Sequence, residues 1–158
     1  MGQVVSQEKL ILHRGEWKRN GRRVVFVSGR FDLLHPGHIR LLEQARKLGE
    51  ILVVGVQSDA AIRSSPRRAQ GVNDGFERPI TPASERMEIL AAIAAVDYAI
   101  EFDAPTPNDL LAQLEPDIVA VGGGDPAGGN AGKKIVRIPL EPGFSTSRLI
   151  DRITQPRA

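Results

Sequence analysis

The sequence has no cysteine among its 158 residues. A chain without thiols forms no disulfide framework, no cysteine nucleophile and no cysteine-ligated zinc site. Aromatic residues are also scarce, at 4% of the chain. Proteins that bind single-stranded nucleic acid use several aromatic rings as stacking surfaces. The composition therefore argues against a nucleic-acid partner.

Long hydrophobic runs are missing as well. No segment approaches the roughly 20 apolar residues that a membrane-spanning helix needs, and the first residues lack the apolar stretch of a signal peptide. Positive charge is concentrated in residues 1–30, with seven Lys or Arg against two Glu, but the bases are scattered along the segment. We expect no membrane partner and a cytoplasmic location.

What the chain does contain is the composition of a folded domain. Hydrophobic residues make up 41% of the sequence and charged residues 25%, as is usual for globular proteins. The length is that of one domain with a core of ordinary size. We expect a single domain over residues 1–158, with residues 1–20 as an N-terminal helical extension.

Strands and helices are predicted to alternate along the chain. Short apolar, β-rich runs predict strands at residues 22–27, 51–56, 96–102, 117–121 and 134–139. Apolar residues at helical spacing predict helices at residues 7–19, 37–48, 82–94, 106–114 and 145–153. This alternation predicts an α/β fold, a single Rossmann-like, doubly wound parallel sheet with helices on both faces.

Two of the three histidines, His35 and His38, lie where the first predicted strand gives way to a helix, in SGRFDLLHPGHIR. Ligands of such sheets bind beyond the carboxyl ends of the strands, and a helix start offers free N–H groups that suit phosphate. Pro36 fits a first helical turn, and Gly37 lets a ligand approach the backbone closely. The spacing equally allows another interpretation, in which Asp32 and the histidines only cap the helix.

The segment GRFDLLHPGH resembles the G-x-F-D-x-x-H-x-G-H signature of the cytidylyltransferase-like nucleotidyltransferases. Further along, ARKLGEILVVGVQSD, ERPITPASERMEILAAIAAVDYAIEFDAPTP, LEPDIVAV and FSTSRLIDRI resemble, in order, the adenylyltransferase branch that forms ADP-heptose. The resemblance covers about residues 22–153 and implies a single nucleotidyltransferase domain that forms a homodimer. It also implies a reaction in which an oxygen of a sugar phosphate attacks the α-phosphorus of a nucleoside triphosphate and pyrophosphate leaves.

The resemblance assigns roles to individual residues. His35 and His38 would be catalytic, holding the triphosphate and stabilising the charge that develops during transfer. Asp32 would orient a histidine or assist Mg²⁺, which would bridge the phosphates with no further protein ligand assigned. The implied nucleotide-binding residues are Gly29, Arg30, Phe31, Asp32, Gly37, Arg67, Arg86, Gly122, Ser145, Thr146 and Ser147. The implied substrate-binding residues are Arg63, Arg68 and Val121.

Departures from the family pattern leave the donor and the acceptor open. Val121 stands where the family has a lysine, and Arg30 stands where it has a cysteine. Transfer from ATP to heptose 1-phosphate is the favoured reaction. A second hypothesis is CTP-dependent transfer to a polyol phosphate such as glycerol 3-phosphate, although Leu140 replaces an arginine of that enzyme. A third is a nucleotide-binding protein that has lost catalysis.

Overall fold

One sheet of six parallel strands forms the centre of the structure, a computed structural model that describes residues 1–65, 76–123 and 134–156. The strands are β1 Gln3–Val4, β2 Val24–Gly29, β3 Ile51–Gln57, β4 Tyr98–Phe102, β5 Ile118–Gly122 and β6 Lys134–Ile138. Their order in space is β1-β4-β3-β2-β5-β6, and every pairing is parallel. The predicted parallel sheet is confirmed.

Helices cover both faces of this sheet. They are α1 Gln7–Arg19, α2 Pro36–Arg46, α3 Asp59–Ser64, α4 Ala83–Ala91, α5 Asn108–Leu114 and α6 Thr146–Thr154. Side chains of α2 and α4 pack into one core cluster, and those of α1 and α5 pack into the other. Strand β2 contributes side chains to both clusters, because Val25 and Val27 face the first while Val24 and Phe26 face the second. The doubly wound, Rossmann-like fold is therefore confirmed.

The strand order places a crevice beside β2. From β2 the chain continues through β3 to β4 on one side, and later returns to β5 and β6 on the other side. At such a reversal the connections leave the carboxyl ends of the two central strands in opposite directions. The loop that follows β2 contains His35, the first turn of α2 contains His38, and both residues line this crevice.

Several predicted boundaries differ from those of the structure. Helices α2 and α4 end at Arg46 and Ala91, before the predicted ends at residues 48 and 94. In both places a turn follows, marked by the Leu48 N–H bond to Ala45 O and the Ile93 N–H bond to Leu90 O. The two-residue strand β1 and the six-residue helix α3 are not predicted by the sequence pattern. Neither is long enough to show a hydrophobic period.

The described helices are all too short or too polar to cross a lipid bilayer.

Candidate active site

A cavity of about 820 Å³ lies at the carboxyl ends of the four central strands, β4, β3, β2 and β5. Twelve of the residues predicted for the site line it, namely Gly29, Arg30, Phe31, Asp32, His35, Gly37, His38, Val121, Gly122, Ser145, Thr146 and Ser147. Residues separated by more than 110 positions in the sequence are thus brought to one place. Arg67 and Arg68 lie outside the described residues. Arg63 and Arg86 are described, but they do not line the cavity.

The two histidines form a stacked pair at the start of α2. His35 is the residue that caps the helix, and Pro36 occupies the first turn, where its missing N–H costs nothing. The rings of His35 and His38 lie 3.8 Å apart between centroids. A Cβ on Gly37 would stand 3.0 Å from the His35 ring and 3.1 Å from Phe144 Cβ. Glycine at this position therefore lets His35 and the segment before α6 approach the helix start.

The environment keeps the His38 ring neutral. Burial, with a smaller contribution from His35, lowers the pKa of His38 from 6.5 to about 4. Burial also lowers the pKa of His35. The Nδ1 atom of His38 accepts the backbone N–H of His35 at 3.3 Å, so the proton of the neutral ring is on Nε2. His38 thus presents an N–H donor on a ring that lines the cavity.

Phe31 supports the His38 ring from behind. Its backbone lies in the left-handed region at φ +50°, a conformation that is unusual for a bulky residue. Residues strained in this way are found most often at functional sites. In this conformation its ring packs 5.4 Å from the His38 ring, centroid to centroid. A Cβ on Gly29 would stand 3.0 Å from the Phe31 ring. Glycine at 29 and the strained backbone at 31 together determine where the imidazole lies.

The start of α6 forms the opposite wall of the cavity. Ser145 caps this helix, since its hydroxyl accepts the N–H of Arg148 at 3.1 Å. Thr146 Oγ1 donates to Leu33 O at 3.3 Å, which ties α6 to the loop that precedes α2. Two helix N-termini, those of α2 and α6, therefore face one cavity, and each contributes free N–H groups and partial positive charge.

The partners of Asp32 differ from those expected at the sequence level. Its carboxylate accepts the backbone N–H groups of Ile80 and Thr81 at 2.8–2.9 Å, and it pairs with Arg78 at 3.3 Å. In the described part of the chain, no hydrogen bond joins this carboxylate to a histidine. Asp32 lines the cavity, but its side chain anchors residues 78–81 beside the histidine loop.

Arg86 requires a correction. The resemblance implied direct nucleotide binding, but the residue is 1% exposed and lies behind the cavity wall. Its Nε donates to Thr81 O at 2.8 Å and its Nη1 to Gln57 O at 2.9 Å and to Arg30 O. Its Nη2 pairs with Asp59 at 2.6 Å. Its hydrogen bonds join the ends of β2 and β3 to the segment that leads into α4.

Some lining residues were not predicted from the sequence. Arg78, Gln57, Glu141 and Phe144 all line the cavity. Phe144 stacks near His35 at 6.3 Å, and the Arg40 guanidinium lies 5.2 Å from the centre of its ring. The only available signal was position, because Gln57 ends β3 and Phe144 directly precedes the cap of α6.

The described residues do not fit a protein-held magnesium site. No three His, Asp or Glu side chains of residues 1–65, 76–123 and 134–156 lie together as a ligand set. Of the described lining residues, Asp32 and Glu141 carry carboxylates. The first is paired with Arg78 and the second with Arg40. Neither is available as a hard oxygen ligand without the loss of an ion pair.

Chemically, the cavity is suited to a polyanion. It combines two helix N-termini, a neutral histidine donor and the arginine side chains of Arg30 and Arg78. Phosphate groups bind to donor sets of this kind. Among the described lining residues no hydrogen bond joins a serine to a histidine. This donor set is suited to positioning a substrate and stabilising charge.

Comparison with known proteins shows the family to which the chain belongs. A family model described as cytidylyltransferase-like matches residues 26–135. The chain is 40% identical over 157 residues to the Bifunctional protein HldE of Koribacter versatilis, with 94% of this chain and 31% of that protein covered. It is 42% identical over 144 residues to the protein of the same name from Syntrophotalea carbinolica, with 86% and 28% covered. The chain thus spans about a third of the length of these curated relatives.

Solved structures show the same architecture. The lipopolysaccharide core biosynthesis protein from Thermoplasma volcanium superposes with a TM-score of 0.59 at 27% identity, covering 77% of this chain and 98% of that one. The pantoate-beta-alanine ligase from Francisella tularensis, complexed with beta-gamma ATP and beta-alanine, has a TM-score of 0.60 at 12% identity, with 99% and 80% covered. At that identity the second likeness concerns the fold alone.

Proposed function

Because this chain belongs to the cytidylyltransferase-like family and is a nucleotidyltransferase, we propose that it transfers a nucleoside monophosphate, preferably AMP, to a sugar phosphate. The observation that supports this most directly is the convergence of the α2 and α6 N-termini on one cavity beside the neutral His38. A triphosphate fits there because its oxygens can accept from both helix starts.

In the proposed reaction, a phosphate oxygen of the acceptor attacks the α-phosphorus of the triphosphate. A new oxygen–phosphorus bond forms while the bond to the bridging oxygen of the β-phosphate breaks, and pyrophosphate leaves. Negative charge grows on the phosphoryl oxygens and on the leaving group. His38 Nε2–H and the helix N–H groups would donate to those oxygens. Mg²⁺ would accompany the nucleotide phosphates, since the described residues form no site of their own for it.

Heptose 1-phosphate is the proposed acceptor and ATP the proposed donor. The resemblance of residues 22–153 to the ADP-heptose-forming branch supports this choice. The relatives named HldE and the neighbour named as a lipopolysaccharide core biosynthesis protein agree with a saccharide product. We further propose that the chain forms one nucleotidyltransferase domain and that this domain is a homodimer, which light scattering can measure. Its proposed location is the cytoplasm, where nucleoside triphosphates are available.

A pyrophosphate-release assay tests the function. The purified chain is incubated with Mg²⁺, each of ATP, CTP, GTP and UTP, and either heptose 1-phosphate or glycerol 3-phosphate. We expect release with ATP and heptose 1-phosphate, and almost none with His38→Ala. Release only with CTP and glycerol 3-phosphate would replace the proposed substrates, and tight nucleotide binding without release on any acceptor would indicate a protein that has lost catalysis.

A further inference from the structure

Arg78 is a buried cation in the wall of the active-site cavity. Its side chain is 6% exposed, yet it lines the cavity together with the histidines. Burial of a guanidinium is costly unless the charge is paired or used. The residue lies in the ERPITPASERM stretch, where the resemblance assigned no role to it.

Asp32 fixes the position of this guanidinium. The Oδ1 atom accepts the N–H groups of Ile80 and Thr81 at 2.9 and 2.8 Å. The Oδ2 atom accepts Arg78 Nη1 at 3.3 Å, which is long for a charge-assisted bond. Asp32 is therefore held firmly by the backbone and more loosely by Arg78.

Few fixed positive charges line the cavity, and Arg78 carries one of them. The His38 ring is neutral at pH 7, and the Glu141 carboxylate is paired with Arg40. Of the described lining residues, Arg30 and Arg78 are the arginines and no lysine is present. A polyanionic ligand thus has few fixed positive charges to meet besides the helix starts, and an arginine fork matches two phosphate oxygens at once.

We propose that Arg78 binds a phosphate group of the substrates and that Asp32 positions its guanidinium for this contact. The inference rests on the proposed nucleotidyl transfer. The phosphate belongs either to the nucleotide or to the acceptor, and the chemistry of the contact is the same in both cases.

Calorimetric titration with pyrophosphate and with inorganic phosphate tests the contact without turnover. Arg78→Met keeps much of the side-chain volume and removes the charge, and we expect affinity to fall at least about tenfold. Loss for pyrophosphate assigns the contact to the nucleotide, and loss for inorganic phosphate alone assigns it to the acceptor. Unchanged affinity for both overturns the proposal.

Arg14→Met is the matched control. Arg14 is also largely buried, at 11% side-chain exposure, and pairs with Asp117 at 3.4 Å, but it lies away from the cavity beside Leu114 and Glu115. We expect a comparable fall in melting temperature with unchanged phosphate affinity. An equal loss of affinity in both variants would show that destabilisation, and not a lost contact, is the cause. If Arg78→Met does not fold, Arg78→Lys keeps the charge without the fork and is expected to lose about threefold to tenfold.

A double-mutant cycle tests the role of Asp32. Asp32→Asn can keep the two backbone bonds at Oδ1 and removes the negative charge that Arg78 Nη1 meets at Oδ2. We expect pyrophosphate affinity to fall at least about twofold where Arg78 is present, because its guanidinium loses a partner that positions it, and to change little in the Arg78→Met background. An equal change in both backgrounds would mean that Asp32 does not act through Arg78. A wild-type protein that binds pyrophosphate through Arg78 but releases none from any substrate pair would refute the proposed function and leave this contact standing.

Discussion

At the scale of single residues, His38 has a structural contact and a proposed catalytic role that the sequence could not separate. Its Nδ1 atom caps α2 by accepting the His35 N–H, and we propose that its Nε2–H donates to the reacting phosphates. We predict that His38→Ala lowers turnover about 100-fold, equivalent to about 3 kcal/mol of transition-state stabilisation. It should also cost about 1 kcal/mol of stability through the lost cap. Steady-state kinetics and urea unfolding measure the two effects.

His38→Gln distinguishes the two tasks. A glutamine at the third helical position can still accept the N–H of the capping residue, so stability should return while turnover stays low. Turnover close to that of the wild type in His38→Gln would leave capping as the only role of this histidine.

Val121 is the second residue with a predicted effect on function. It is 8% exposed, packs into the core cluster of α1 and α5, and borders the cavity. A lysine there can leave its stem among the apolar neighbours and place its ammonium in the cavity. We predict that Val121→Lys improves kcat/KM for heptose 1-phosphate at least tenfold, the value of one charge-assisted contact.

The control for this substitution is Val121→Met, which adds length without charge and should give no gain. Efficient use of heptose 1-phosphate by the wild type, with no improvement in the lysine variant, would show that this position does not limit the acceptor.

At the scale of elements, the N-terminus of α6 offers a clean comparison with that of α1. Ser145 and Ser6 both cap their helices through the hydroxyl, at 3.1 and 3.3 Å. We predict that Ser145→Ala and Ser6→Ala each cost about 1 kcal/mol of stability. Only Ser145→Ala should raise KM for the triphosphate, several-fold, because the N-terminus of α6 lines the cavity and that of α1 does not. Equal KM values in the two variants would remove α6 from nucleotide binding.

The elements also show what a sequence can and cannot predict. Every long strand and helix was identified, because runs such as residues 51–56 hold no polar side chain and the helices carry apolar residues at helical spacing. Residues of local motifs, such as His35 and His38, reached the cavity as expected. Asp32 and Arg86 were both assigned to ligands, but in the structure each bonds to other protein groups. The partners of Asp32 lie 46 to 49 positions away in the sequence, and those of Arg86 lie 5 to 56 positions away. Residue type gives the bonding capacity, and only the folded chain decides which partner is closest.

At the scale of the whole molecule, the histidine pair makes stability depend on pH. The pKa of His38 is about 4 in the folded protein and about 6.5 when unfolded, so the unfolded chain binds more protons between these values. The stabilisation is fully present above pH 6.5 and is lost as the pH falls toward 4. We predict that protonation of His38 alone lowers the free energy of unfolding by about 2 kcal/mol between pH 6.5 and 4. The full pKa shift corresponds to about 3 kcal/mol, and solvent screening reduces that value.

Urea unfolding of the wild type and of His38→Gln at pH 7.5 and 4.5 isolates this contribution, because the carboxylates of the two proteins are the same. The wild type should lose more stability than the variant between the two pH values. Parallel losses would show that the ring is exposed to solvent more than its packing against His35 and Phe31 indicates.

The strand order has a consequence for the newly made chain. Synthesis of β2, α2 and β3 completes one wall of the cavity, whereas the opposite wall is complete only when α6 has been made, about 90 residues later. The Thr146 bond to Leu33 O, which joins the two walls, closes one of the longest loops in the protein. Contacts of such separation form late, because loop closure must be completed first. In the proposed function, nucleotide contacts both helix starts only after translation has passed α6, so it would stabilise the folded domain and give little support to shorter nascent chains.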